Sequence, residues 1–381
     1  MMEPASKRRL KATSKSDQKF FLDQKKGELS SAAPPARPLS PFIPRHHRQL
    51  INLLKVTGGL AGSLLLRRPL VWGNPLIVHI EPTSLCNLNC PLCPSGTGLL
   101  TRHRSKLNFS KFRIILDKLP DSVRMLLLWN QGEPFLVKEL PQMIEYARKK
   151  DIYVSTSTNG HFLYDPASVR DLVNADLNEL IISLDGADQQ TYEKYRSGGN
   201  LTRVFEGIRN VSLVKKQMKQ VHPVIHLQFI LMRQNQHQMN QIIHIGKELG
   251  VNRISFKSLQ LGEFEGAEHF LPDNPQYTRY LEKDKNGNYV TRKRRLFSND
   301  CLRLWYSIVI NCDGGVSPCC FDKDGAYSFG NLFEDSFSSI WYGLKFRKFR
   351  HNLLKSRYYY DMCRDCSEGL KKLFVRSIRY D

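Results

Sequence analysis

The chain has 381 residues, 41% of them hydrophobic, enough for one large core or a core with a smaller appendage. Its formal charge of +21 suits a surface that attracts RNA, an acidic peptide or an anionic membrane, and equally a solvated basic face. No apolar run reaches the roughly eighteen residues of a membrane span, and the N-terminus lacks the apolar stretch of a secretory signal.

Residues 1–45, rich in Lys, Ser, Ala and Pro, offer little apolar surface to offset ordering and are expected to be a disordered basic tail. Residues 46–66 read as a helix, followed by a linker to residue 74. Leu50, Leu53, Leu54, Ala61, Leu64 and Leu65 recur in it at helical spacing, interrupted by Gly58 and Gly59. Packing against the main domain is expected of it, with a membrane surface or an apolar substrate as alternatives. From 75 to 265 short apolar strands such as "LIVHI", "VRMLLLW", "YVSTSTNG" and "ELIISLDG" alternate with amphipathic helices. Six such repeats predict an α/β fold, a partial (β/α)6 barrel whose chemistry gathers beyond the C-terminal ends of its strands. Residues 266–300 read as a charged connecting segment. Residues 301–376 read as a small cysteine-rich α+β domain, with a hairpin turning at "DGG" and a helix through "SFSSIWYGLKFRKFRHNLL".

The nine cysteines fall in two groups, three between 86 and 93 and six between 301 and 366. An odd number, clustered at two ends, argues for metal in a reducing compartment rather than a disulfide framework. In "SLCNLNCPLC" Cys86, Cys90 and Cys93 have no histidine beside them. A structural zinc would need a fourth ligand from elsewhere. A [4Fe–4S] cube held by three thiolates keeps one iron open.

Cys86-x3-Cys90-x2-Cys93 after the first strand resembles the core motif of the radical S-adenosylmethionine superfamily. Further matches follow at later strand ends: "NQGEP" (130–134), with Gln131 where many members have glycine, "STSTNG" (155–160) and "ISLDGADQQTYEKYR" (182–196). The resemblance covers residues 75–265. It implies a catalytic [4Fe–4S] cluster whose open iron binds S-adenosylmethionine, with reductive cleavage yielding a hydrogen-atom abstractor. It places Gly132 and Glu133 near the methionine amino group, Ser157 and Asn159 at the ribose, and Ser183 and Arg196 at the carboxylate end. Asp185 and Gly186 read equally as a turn or as ligand contacts.

The distal cysteines resemble the C-terminal auxiliary-cluster domain of the SPASM or twitch type. Cys301, Cys319, Cys363 and Cys366 are the implied ligands of a second, closed [4Fe–4S] cluster, with Cys320 a rival to Cys319, Cys312 spare and zinc an alternative. The reading is an oxidoreductase acting on a C–H bond of a small-molecule or lipid-linked substrate, with the second cluster passing electrons. Its partners would be a reductant such as flavodoxin or ferredoxin and an anionic membrane surface, and its place the cytoplasm or the membrane periphery. Without a zinc-finger or aromatic ribonucleoprotein signature, nucleic acid is not expected. A maturase of ribosomal peptides and a non-catalytic cluster-bearing RNA-binding or interaction protein are the rivals. Gln228, Met232, Ser255, Lys257 and Gln260 are substrate candidates by position, as are Tyr306 and Asp322 near the distal cysteines. No catalytic residue proper is singled out.

Overall fold

The computed structural model describes residues 44, 46–261, 264–283, 289–291, 301–364, 366 and 374–380. The expected tail therefore lies, Pro44 apart, outside the described residues. Strands β1 (Ile77–Ile80), β2 (Met125–Leu128), β3 (Tyr153–Thr158), β4 (Glu179–Ser183), β5 (Val224–Leu231) and β6 (Arg253–Ser258) pair in chain order, all parallel. Right-sized helices connect them, and four start on a side-chain cap: Asn108, Asp165, Asp188 and Asn200 each accept from the first turn. A separate antiparallel hairpin, β7 (Tyr280–Lys283) and β8 (Tyr289–Thr291), occupies part of the expected connecting segment.

Side chains alternate along each strand. Val78, Ile80, Leu126, Leu128, Leu180 and Ile182 belong to the main core under the helices. The opposite set turns inward and carries the polar residues His79, Glu179 and Ser183 among apolar ones. At the N-terminal end Glu179 is ion-paired to Arg253 and accepts from Ser155 Oγ at 3.2 Å, with His226 Nδ1 at 3.0 Å. His226 Nε2 lies 2.8 Å from Ser255 Oγ, so this network floors the barrel.

Two features depart from the expected domain plan. The strand β9 (Ser307–Ile310) pairs parallel with β1, and β10 (Val316–Ser317) closes the expected hairpin beside it. The last strand, β11 (Phe374–Arg379), pairs antiparallel with β6. One nine-stranded, open sheet thus runs β10-β9-β1-β2-β3-β4-β5-β6-β11, and the barrel does not end at 265. The C-terminal helix is also two helices, Phe337–Trp341 and Leu344–Lys355, broken at Tyr342–Gly343.

The helix α1 (His47–Leu66) forms and packs on the domain as expected, with Leu64 partly buried against the core, but the face it buries is centred elsewhere than on the leucines. Gln49, Asn52, Val56, Gly59 and Ser63 are its buried positions, while Leu50, Leu54 and Leu65 are exposed. Small and amide side chains let the following chain lie against it. A Cβ on Gly59 would stand 2.8 Å from Leu70 O and 3.2 Å from Trp72 N, closer than a methyl group can sit. Asn52 exchanges two hydrogen bonds with the Asn74 backbone, and Trp305 Nε1 donates to Ser63 Oγ at 3.0 Å.

Candidate active site

The loop after β1 carries Cys86, half-buried Cys93 and buried Cys90. Leu88 N donates to Cys86 Sγ at 3.5 Å, and Arg196 Nη1 stands 4.0 Å from Cys90 Sγ. Burial pushes the Cys90 thiol up to about 11, against the pull of Arg196. Arg196 is itself fixed by donating through Nε and Nη2 to Asp185 Oδ2, each at 2.6 Å, while Asp185 Oδ1 accepts from Ile230 N. Asp185 therefore orients Arg196 and does more than make a turn.

The "NQGEP" loop is bound to the cysteine loop through backbone. Gly132 has φ +71°, and a Cβ there would lie 2.4 Å from Thr83 O. Its N–H donates to Ser95 Oγ at 3.0 Å, so its glycine is required for packing and its amide is already used. Glu133 N donates to Leu85 O, while its carboxylate accepts from Thr158 Oγ1 (2.8 Å), Asn159 N (2.7 Å) and Phe135 N (3.2 Å). Burial pushes this carboxyl up to about 7 despite those donors. Asn159 Nδ2 donates to Asn87 Oδ1 at 2.8 Å, joining the end of β3 to the residue beside Cys86. Ser157 and Ser183 face inward, half-buried, and neither hydroxyl has a hydrogen-bond partner among the described residues.

A third group has no counterpart among the residues expected at the site. Glu81, fully buried at the end of β1, is paired with Arg102 at 2.6 Å and accepts from Gln131 N and Asn130 Nδ2. Asn130 Nδ2 also donates to Asn311 Oδ1, and Arg102 Nε to Lys323 O. Cys312 sits in this network, its Sγ 3.2 Å from Ser105 Oγ and 3.8 Å from Ser84 Oγ and from Arg102 Nη1. It is buried, as a spare thiol would be, but in polar company. The one signal in the sequence was a carboxylate directly after an apolar strand and before Pro82.

Cys301, Cys319, Cys363 and Cys366 line one pocket with Phe321, Phe349, Leu353, Met362 and two arginines, Arg303 and Arg357. Cys320 is outside that lining, and its Sγ accepts from Arg303 Nη1 at 3.2 Å. Tyr360 stacks on Phe349 at 3.9 Å beside it, a packing role. Among the described residues no three Cys, His, Asp or Glu side chains stand close enough to share one metal ion.

Of the substrate candidates, Lys257 and Gln228 meet, Nζ to Oε1 at 2.9 Å, on the inward side of β6 and β5. Ser255 belongs to the barrel floor, Met232 is fully buried in a satellite core, and Gln260 is exposed. Asp322 caps a turn, accepting from Ala326 N and Tyr327 N. Tyr306 accepts from Leu76 N through its backbone carbonyl.

A family model for the radical SAM superfamily matches residues 80–228, and one for the SPASM iron–sulfur cluster-binding domain matches residues 301–367. The chain is a radical SAM enzyme with a SPASM domain. This radical SAM enzyme is 23% identical over 323 residues to the tungsten-containing aldehyde ferredoxin oxidoreductase cofactor-modifying protein of Pyrococcus furiosus, covering 76% of this chain and 86% of the relative. It is 25% identical over 303 residues to Fe-coproporphyrin III synthase of Methanosarcina barkeri, covering 70% and 73%. The structure of Streptococcus suis SuiB bound to precursor peptide SuiA superposes with a TM-score of 0.58 at 15% identity, over 93% of this chain and 86% of that one, a likeness of fold. The cofactors of the radical SAM enzyme are [4Fe–4S] clusters and S-adenosylmethionine. The free Ser157 and Ser183 hydroxyls, the three thiols on one loop after β1 and the four that line one C-terminal pocket fit them.

Proposed function

We propose that the enzyme removes a hydrogen atom from a C–H bond of a small molecule bearing an anionic group, and that the second cluster carries an electron in a net oxidation. Cys86, Cys90 and Cys93 would hold the catalytic cluster, and Cys301, Cys319, Cys363 and Cys366 the auxiliary one. When bound, the catalytic cluster supplies the electron for reductive cleavage of S-adenosylmethionine, itself supplied by a flavodoxin or ferredoxin. Ser157, Asn159, Ser183 and Arg196, at or beyond the C-terminal ends of β3 and β4, would contact that cofactor. Asp185 keeps the Arg196 guanidinium fixed, and the buried Glu133 ties the two loops together around the site.

The observation that carries the substrate class is Lys257. Its ammonium projects inward from β6, held by Gln228 Oε1 at 2.9 Å, with the Arg279 guanidinium a second positive charge nearby. Burial brings it down to about 8, so it stays mostly protonated at neutral pH and prefers an anionic partner. The names of the two relatives, one cofactor-modifying and one a coproporphyrin synthase, favour a small molecule over a peptide.

The test is anaerobic reconstitution followed by counting iron and assaying 5′-deoxyadenosine. About eight irons in the parent, about four when Cys86, Cys90 and Cys93 are changed to Ala, and cleavage only in the parent are expected. Pooled carboxylate-bearing metabolites should then stimulate cleavage in the parent but not in Lys257→Met. Zinc in place of iron, or iron without cleavage, overturns the reading; equal stimulation of Lys257→Met overturns the substrate class.

A further inference from the structure

An ordinary surface helix turns its apolar stripe inward; α1 buries Val56 and half-buries Leu60 and Leu64 but leaves a second apolar stripe facing out. Leu50, Ile51, Leu54 and Leu65 are 48, 48, 62 and 83% exposed, and positions 50, 54, 61 and 65 form one stripe at helical spacing. Trp72, 55% exposed, packs its ring over Gly58 and adds an indole to this surface. Between His46 and Asn74 the chain has Arg48, Lys55, Arg67 and Arg68 and no Asp or Glu.

We propose that this face docks the enzyme on an anionic phospholipid bilayer, with α1 lying in the plane of the headgroups. Leucines with an indole reach the acyl boundary while the flanking cations meet lipid phosphates, the composition of an interfacial helix. The charge pattern selects this occupant. A second copy seated on the same stripe would set four cations against the same four, within a chain of formal charge +21.

By length and composition α1 would also pass for a spanning helix. Its inner face argues otherwise, because Asn52 is bonded to Asn74 and Ser63 to Trp305. Crossing the bilayer would break those bonds and strand Gln49 and Asn52 in hydrocarbon. Beyond the linker, the partners of α1 precede strands: Asn74 enters β1, Asp121 enters β2, and Trp305 enters β9. The cysteine loop lies past the other end of β1. A membrane-bound enzyme therefore turns its mouth away from the bilayer, toward a soluble reductant and a soluble substrate.

The test is co-sedimentation of the full-length, reconstituted protein with phosphatidylcholine vesicles, with and without phosphatidylglycerol. Binding to the anionic vesicles is expected, with Trp72 fluorescence quenched by brominated acyl chains and Trp72→Phe as blank. Leu50→Asp, Leu54→Asp and Leu65→Asp together should lower binding at least about tenfold without shifting the melting temperature, since these side chains are exposed. Arg67→Glu with Arg68→Glu should remove the preference for phosphatidylglycerol. Undiminished binding by the triple variant would assign attachment to the basic tail and overturn the proposal. So would a vesicle-free dimer that the triple variant dissolves.

Discussion

Glu81 and Arg102 stand 2.6 Å apart with both side chains buried, and through them the end of β1, the loop after β2 and the SPASM domain share one ion pair. Removing one partner leaves the other charge buried and uncompensated. Arg102→Met is expected to destabilise the protein by about 3–5 kcal/mol, read as a lower urea midpoint. Glu81→Leu added to it should recover only part of that loss, because Gln131 N and Asn130 Nδ2 lose their acceptor. Full recovery would show that the pair alone matters.

Glu133 makes stability depend on pH in an unusual direction. Burial raises its carboxyl from 4.5 to about 7, so the folded state keeps a proton that the unfolded chain releases. The stabilisation is complete below pH 4.5 and is lost as pH rises through about 7, a span worth on the order of 3 kcal/mol. Melting temperatures of the parent should fall across that window relative to Glu133→Gln. Parallel curves for the two proteins would show that Glu133 is ionised throughout.

Ser157 and Ser183 have hydroxyls directed into the barrel with no protein partner among the described residues, which separates ligand binding from stability at these positions. Alanine at either should raise the Kd for S-adenosylmethionine about threefold to tenfold, measured by equilibrium dialysis, and leave the melting temperature unchanged. A lowered melting temperature with unchanged Kd would place the hydroxyls in the scaffold.

Cys319 and Cys320 are adjacent but face different surroundings, one the thiol-lined pocket and the other Arg303. Cys319→Ser is expected to lose about four irons per chain and Cys320→Ser to keep about eight. The reverse pattern in an iron assay would exchange their roles.

Gly132 and Gly198 both have positive φ, +71° and +80°, yet only Gly132 is hemmed in by backbone. Gly198→Ala should cost about 1 kcal/mol from conformation alone. Gly132→Ala must also displace Thr83 O and Leu85 O, and with them the loop carrying Cys86. Loss of S-adenosylmethionine cleavage is expected from the second and not the first.

The strand-by-strand plan of β1 to β6 was legible because each strand is a short apolar run between amphipathic helices, and the first site because its three cysteines sit at a strand end. The partner of β9 was not. "SIVI" is apolar on both faces, and nothing in four such residues says that β1, some 230 positions earlier, lies beside them. The orientation of α1 was hidden for a related reason. Counting leucines finds the stripe, but the anchoring contacts come from Asn52, Gly59 and Ser63, whose partners at 70–74 and 305 are visible only in three dimensions. Glu81 and Arg102 pair across a loop that no periodicity describes. Gly132 was recognised by motif, but its close packing on Thr83 O and Leu85 O is visible only in three dimensions.

Because β9 runs along the free side of β1 and β11 along the free side of β6, the C-terminal region clasps the half-barrel at both rims. It is not a cassette that can be cut away or exchanged between enzymes. A chain stopped after β6 would bare two sheet edges to aggregation and unclamp the very strand that presents the first three cysteines. For the same reason the mouth cannot open by swinging one domain from the other. Any widening must come from bending the sheet itself, or from the loops above it.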